Sequence, residues 1–304
     1  LSAPTPRRKR RRNAPLMFLA PFGVLFAAMY AVPVGYAIVE SLHKMRRSGL
    51  GLTPPVREWA GFENYSKALD DDALWQGMGR VLLFGVVQVP VMLGLALVLA
   101  LLLDAKSARL KGFFRTAYFL PYAIPGVVAT ILWAFLYMPR SSPVVGMLDA
   151  VGLPSDFLGE GAVLWSIANV VTWTWTGYNM LVIFSALQAI PQDLYEAAEL
   201  DGCGPWRIAW KIKVPLVAPA IALTTVFSVI GTLQLYTEPR VLRPLTASVD
   251  ASYTPIMSAY HKAVENNDYG QGAAVSVLLA LGTCLLSFAV LKLSARLTNG
   301  RSAL

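Results

Sequence analysis

VLLFGVVQVPVMLGLALVLALLL, residues Val81–Leu103, runs for 23 positions without an Asp, Glu, Lys, Arg or His. At a helical rise of about 1.5 Å per residue it reaches ~34 Å, more than the ~30 Å hydrocarbon core of a bilayer. Five further stretches read the same way: Leu16–Val39, Thr116–Met138, Ala162–Ile190, Val214–Thr237 and Tyr269–Leu291. The six hold 146 of the 304 residues. Only 14% of the chain is charged, against roughly 25% in an ordinary soluble domain. A water-soluble globule is excluded. The expectation is an all-α integral membrane protein of six transmembrane helices, with spans at about 16–39, 81–103, 116–138, 162–190, 214–237 and 269–291. Residues 1–15 then form a basic arm, 16–298 one transmembrane domain and 299–304 a tail.

Charge orients these spans. Six basic residues, Arg7-Arg8-Lys9-Arg10-Arg11-Arg12, stand directly before the first one, and such a cluster marks a cytoplasmic flank. Six spans return the carboxyl terminus to the same side. Segments 104–115, 191–213 and 292–304 then face inward with ten Lys/Arg in 48 residues, while 40–80, 139–160 and 238–268 face outward with ten in 94. The density differs in the expected direction, although the arm carries most of the inference. A cleaved signal is disfavoured, because the 24-residue apolar run exceeds the roughly 7–15 of a signal core. Beside a span, the arm reads as a topogenic and lipid-headgroup patch rather than a nucleic-acid tail.

Missing chemistry narrows the function. The chain has no Gly-Lys dipeptide, so it has no phosphate-binding GxxxxGK[ST] loop. Its two histidines, His43 and His261, lie far apart in outward segments with no metal-binding spacing around them. Neither catalysis nor a cofactor on this chain is indicated. The spans also lack the ionisable groups on which proton-coupled carriers depend. Arg80, Arg115 and Glu238 sit at span ends, where snorkelling to the headgroups is the ordinary explanation. An ion-coupled carrier is disfavoured, and energy for uphill transport would come from another chain.

The inward segment 191–213 carries the strongest local pattern. Asp193 suits a helix amino-terminal cap, with Glu196 completing a capping box. Gly202 after Asp201 can take the left-handed conformation that ends the helix, and Gly204-Pro205 restarts the chain. The result is a helical elbow, with Ala197 and Ala198 as a flat face for a partner.

The string Glu196-Ala197-Ala198, then Asp201-Gly202, and after nine residues Ile212 with Val214-Pro215, resembles the EAA loop of binding-protein-dependent ABC importer permeases. Cys203, Ala209 and Val214 depart from the usual residues, all at packing positions. Further strings extend the likeness to the UgpA/MalF-like carbohydrate-uptake branch, among them Gly61-Phe62-Glu63-Asn64-Tyr65, Leu120-Pro121-Tyr122-Ala123-Ile124-Pro125 and Ala186-Leu187-Gln188-Ala189-Ile190-Pro191. The resemblance implies a type I importer permease of MetI-like fold in the bacterial plasma membrane, moving a sugar or oligosaccharide. A phosphorylated polyol or another polar solute is the alternative. Its implied partners are a second permease subunit, a cytoplasmic ABC ATPase dimer carrying ATP and Mg, and an extracytoplasmic solute-binding protein. The elbow residues Glu196, Ala197, Ala198, Asp201 and Gly202 would couple to the ATPase, with Glu196 either pairing there or capping its own helix.

The fourth span is unusually polar and aromatic, with Asn169, Thr172, Trp173, Thr174, Trp175, Thr176, Tyr178 and Asn179. Tyr and Trp offer a sugar both apolar faces and polar handles, so this helix is expected to line a pathway. By the same resemblance, Thr174, Trp175 and Tyr178 on the fourth span and Gly231 and Gln234 on the fifth would meet the solute. Taken singly, each aromatic also fits an interface anchor or bundle packing. Pro121 and Pro125 are expected to kink the third span.

Overall fold

The computed structural model describes residues 14–46, 55–139 and 141–299, with side chains from 17 to 292 of these. The basic arm Arg7–Arg12 and residues 300–304 of the predicted tail lie outside the described residues. The first helix, α1 (Met17–Ser41), is apolar, exposed along almost its whole length and interrupted by one π turn at Ala27–Ala31. Its last turns end on a two-stranded antiparallel hairpin, β1 (His43–Arg46) with β2 (Val56–Trp59), in the register His43 opposite Trp59. This hairpin departs from the all-helical expectation; Ala60 N donates to Leu42 O at 2.8 Å and closes its base. A short helix α2 (Glu63–Leu69) follows.

The centre of the bundle is α3 (Asp72–Asp104), which contains the predicted second span and begins nine residues before it. Asp71 caps it by accepting from Ala73 N at 3.0 Å. Buried positions Val81, Phe84, Gln88, Met92, Ala96, Ala100 and Leu103 recur every three or four residues, so one stripe of the helix is the core stripe. Another face of α3, with Leu83, Val86, Val91, Leu95, Val98 and Leu102, is apolar and exposed, as lipid contact requires.

The predicted third span is broken in two. Helices α4 (Lys111–Ala123) and α5 (Gly126–Tyr137) meet at 95° instead of forming one rod with a kink. Ile124 precedes Pro125, and clash with the proline ring drives it into extended conformation (ψ 130°), which ends α4. After α6 (Pro143–Ala150), α7 (Val163–Gln188) reproduces the predicted fourth span almost to its ends and packs along α3. Its buried stripe, with Val163, Ile167, Val170, Thr174, Gly177, Ile183 and Leu187, again follows helical spacing.

A second short-helix region follows: α8 (Asp193–Leu200), α9 (Pro205–Ile208) and a π turn at Ala209–Lys213. Helix α10 (Ala218–Leu233) is shorter than the predicted fifth span; the chain leaves the helix at Gln234 and resumes as α11 (Thr237–Leu242). Helix α12 (Pro255–Tyr260) leads to α13 (Tyr269–Asn299), which packs on the end of α1. That corner is tight: Asn64 Nδ2 donates to the carbonyls of both Ser41 and His43 at 2.8 Å. Among the described residues, four helices are long and apolar enough to cross a bilayer: α1, α3, α10 with its continuation to Leu245, and α13. The bent pair makes five if it is one span. Helix α7 has the length, but its Thr/Trp/Asn run makes it less apolar than the others.

Candidate functional site

Between α3, α7 and α10 lies a cavity of about 330 Å³. Four of the five residues expected to meet solute line it: Trp175, Tyr178, Gly231 and Gln234. Thr174 does not, because it turns to the buried stripe of α7, where its hydroxyl donates to Val170 O at 2.9 Å. The aromatic wall is held from behind by Tyr122 of α4, whose ring stacks on Tyr178 at 4.8 Å and meets Trp175 edge-on at 5.1 Å. Such contacts fix ring orientation beyond what burial alone does.

Gln88, Asn179 and Glu238 also line the cavity; Asn179 belongs to the polar run of the expected pathway helix, whereas Gln88 and Glu238 were not expected there. Gln88 of α3 donates to Thr172 Oγ1 at 3.2 Å, and Asn179 donates to Trp175 O at 3.0 Å; both amides keep an oxygen free to accept. Gln88 carried a signal, as the one hydrogen-bonding side chain in Val81–Leu103. The third is Glu238. It lines the cavity rather than reaching toward headgroups, because the helix breaks at Gln234 and α11 turns its first residues inward. Backbone freed at that break is satisfied locally: Thr254 Oγ1 donates to Leu235 O at 2.9 Å, as irregular backbone at membrane depth requires.

The elbow occupies one end of the bundle. Gly202 closes α8 in the left-handed region (φ 76°), and Gly204-Pro205 opens α9, both as the spacing predicts. The predicted capping box is absent. Gln192 already has helical dihedrals and Leu194 N donates to Pro191 O at 3.3 Å, so the first turn starts earlier and leaves Asp193 inside the helix. Glu196 therefore makes no cap and stands exposed with Ala197, Asp201 and Gly202. Ala198 is buried against the elbow's own turn, where its carbonyl accepts from Cys203 N at 2.9 Å; the flat face is Ala197 alone. Around it project Leu200, 89% exposed, and Trp206, 75% exposed, a concentration of bare apolar surface at a polar end of the molecule.

Two ion pairs brace the elbow on α3. Lys106 holds Glu199 at 2.7 Å in an exposed pair, whereas Lys213 and Asp104 form a largely buried one. Asp104 also accepts from Gln188 Nε2 of α7 at 2.6 Å. The Lys213 ammonium lies 4.7 Å from the Tyr195 ring, and burial followed by the nearby Asp104 charge raises the phenol's pKa. A cleft of about 720 Å³ separates the elbow from the end of α3.

The opposite end is charge-paired. Glu63 lies between Lys44 at 2.6 Å and Lys67 at 2.8 Å, and these ammonium groups hold its pKa at about 2. Glu265 is likewise held at about 2 by hydrogen bonds from His261 and Arg243, with Arg240 at 3.0 Å.

Residues 92–299 match the family of binding-protein-dependent transport system inner membrane components. The chain is 32% identical over 279 residues to the lactose transport system permease protein LacF of Rhizobium radiobacter, covering 90% of this chain and 91% of that one. It is 30% identical over 291 residues to the trehalose transport system permease protein SugA of Mycobacterium tuberculosis, covering 95% and 91%. The same fold occurs in the crystal structure of a bacterial alginate ABC transporter in complex with an alginate pentasaccharide-bound periplasmic protein, with a TM-score of 0.78, 19% identity and coverage of 95% and 96%.

Proposed function

This chain belongs to the family of binding-protein-dependent transport system inner membrane components, and from that premise we propose that it is a permease subunit of an ATP-driven importer for a sugar or oligosaccharide. The likeness to lactose and trehalose permeases over nine-tenths of the chain supports the substrate class. The aromatic and amide lining of the cavity supports it independently, since ring faces suit sugar C–H edges and amides suit hydroxyls.

In this reading six segments cross the plasma membrane: α1, α3, the bent pair α4–α5, α7, α10 and α13. Both termini lie in the cytoplasm. The chain forms half of the path, and a second permease subunit forms the other half. An extracytoplasmic solute-binding protein delivers solute at the hairpin end. ATP and Mg act on a cytoplasmic ATPase dimer that docks on the elbow through Glu196, Ala197, Asp201 and Gly202. This chain catalyses no reaction; it converts movement of the elbow into movement of the cavity walls.

One observation carries the coupling. Asp104 ties Lys213 of the elbow and Gln188 of α7 to the end of α3, and α3 and α7 are the helices that wall the cavity. Displacement of the elbow therefore pulls on both walls. The test begins by screening oligosaccharides against the importer's solute-binding protein, then measures uptake of the bound sugar in proteoliposomes. The full assembly should take up sugar only with internal ATP, and Glu196→Ala should cut uptake while leaving the assembly intact. Uptake by this chain alone, driven by an ion gradient, would contradict the reading.

A further inference from the structure

We propose that Glu238 acts as a charge filter, so that this chain's half of the path discriminates against anionic solutes and admits neutral polyhydroxy ones. The inference rests on the pathway reading above and narrows its substrate class.

Glu238 lines the cavity beside Gln234, Trp175 and Tyr178. Among the described residues that line it, none is Lys, Arg or His. The two arginines nearest in sequence do not neutralise the carboxylate: Arg240 and Arg243 both turn to Glu265, at 3.0 and 3.1 Å. When ionised, this carboxyl puts one negative charge on the wall of a confined space that no basic lining residue offsets, and its field is screened less there than in bulk water. Sugar hydroxyls can donate to the carboxylate and to the free amide oxygens of Gln88 and Asn179, whose N–H groups are already donated to Thr172, Trp175 and the Met92 sulfur. An ionised phosphate or uronate presents only acceptors and the same sign of charge, so it meets repulsion and an unfilled donor requirement together. The solute of the structural neighbour, alginate, is such a polyanion, whereas lactose and trehalose are neutral.

The field can be read without knowing the solute. In the intact importer, with Cys203 and Cys284 of this chain replaced by Ser, Gln234→Cys places a thiol in the cavity. Its modification by the cationic 2-(trimethylammonium)ethyl and the anionic 2-sulfonatoethyl methanethiosulfonates is followed by the mass of this chain. After normalisation to a free thiol, the cationic reagent should react about tenfold faster, the order expected of one nearby unit charge at intermediate dielectric. Glu238→Gln should bring the ratio toward one, and Glu238→Lys should invert it. A ratio unchanged by Glu238→Gln overturns the filter. Ser228→Cys repeats the measurement should Gln234→Cys disturb assembly. A thiol reactive with neither reagent at both positions contradicts the pathway reading itself, and the filter with it.

Discussion

Gly177 has no room for a side chain: a Cβ built there lies 1.8 Å from the carbonyl oxygen of Tyr118, at the crossing of α4 and α7. Gly177→Ala must push α4 away, and overpacking of this kind costs about 1–3 kcal/mol. We expect the thermal midpoint of the purified assembly to fall by several degrees. The loss should exceed that of Gly231→Ala, where the same construction meets nothing within 4 Å. Trp175 offers a different test, because its ring faces the cavity and is 41% exposed. Trp175→Ala should raise the KM for sugar about tenfold, the equivalent of ~1.4 kcal/mol, within the usual range for losing an aromatic contact. The melting profile should barely change. A large drop in stability with an unaltered KM would assign the ring to packing instead.

At the scale of elements, the Asp104–Lys213 pair is the joint between the elbow and the walls of the cavity. Lys213→Ala leaves the Asp104 carboxylate largely buried without its cation, a change that costs ~3 kcal/mol or more in comparable sites. Uptake per ATP hydrolysed should fall more than tenfold. The double variant Asp104→Asn, Lys213→Gln should regain most of the stability, because it removes both charges together. Much of this level was legible in the sequence. Charge-free runs located five of the predicted spans on helices of matching position, since 23 apolar residues in a row have few other fates. Gly202 and Pro205 marked the elbow's turn because their backbone preferences are local. Other features were hidden for physical reasons. The kink expected from Pro121 and Pro125 was legible, but its size, a 95° break at Ile124-Pro125, was not, because a proline fixes where a helix bends and the neighbouring helices fix by how much. Glu238 was hidden by the helix break at Gln234, which no residue type there demands. The elbow's cap failed because Gln192 already adopts helical dihedrals, a choice that neighbouring turns settle.

Across the whole molecule, the two ends differ in kind. The hairpin end is a mesh of ion pairs. Glu63 and Glu265 are held at about 2, below the ordinary 4.5, so each favours the folded form fully above pH 4.5 and loses that contribution as pH falls toward 2. Glu63→Gln should therefore lower stability at pH 7, and its difference from the parent should vanish near pH 2. Fluorescence of Trp59, which packs edge-on against His43 at 5.1 Å, reports on that end. The elbow end instead bares Leu200, Trp206 and Ala197 around Glu196, an apolar patch that the proposed ATPase would cover. In the proposed importer a nucleotide-driven partner holds and moves this elbow. A photoreactive benzoylphenylalanine at Leu200, in the assembled importer, tests it most directly. One predominant adduct is expected, with the ATPase subunit, and its yield should change between nucleotide-free and ATP-bound states. Adducts with lipid or with this chain alone, at a yield indifferent to nucleotide, would contradict it.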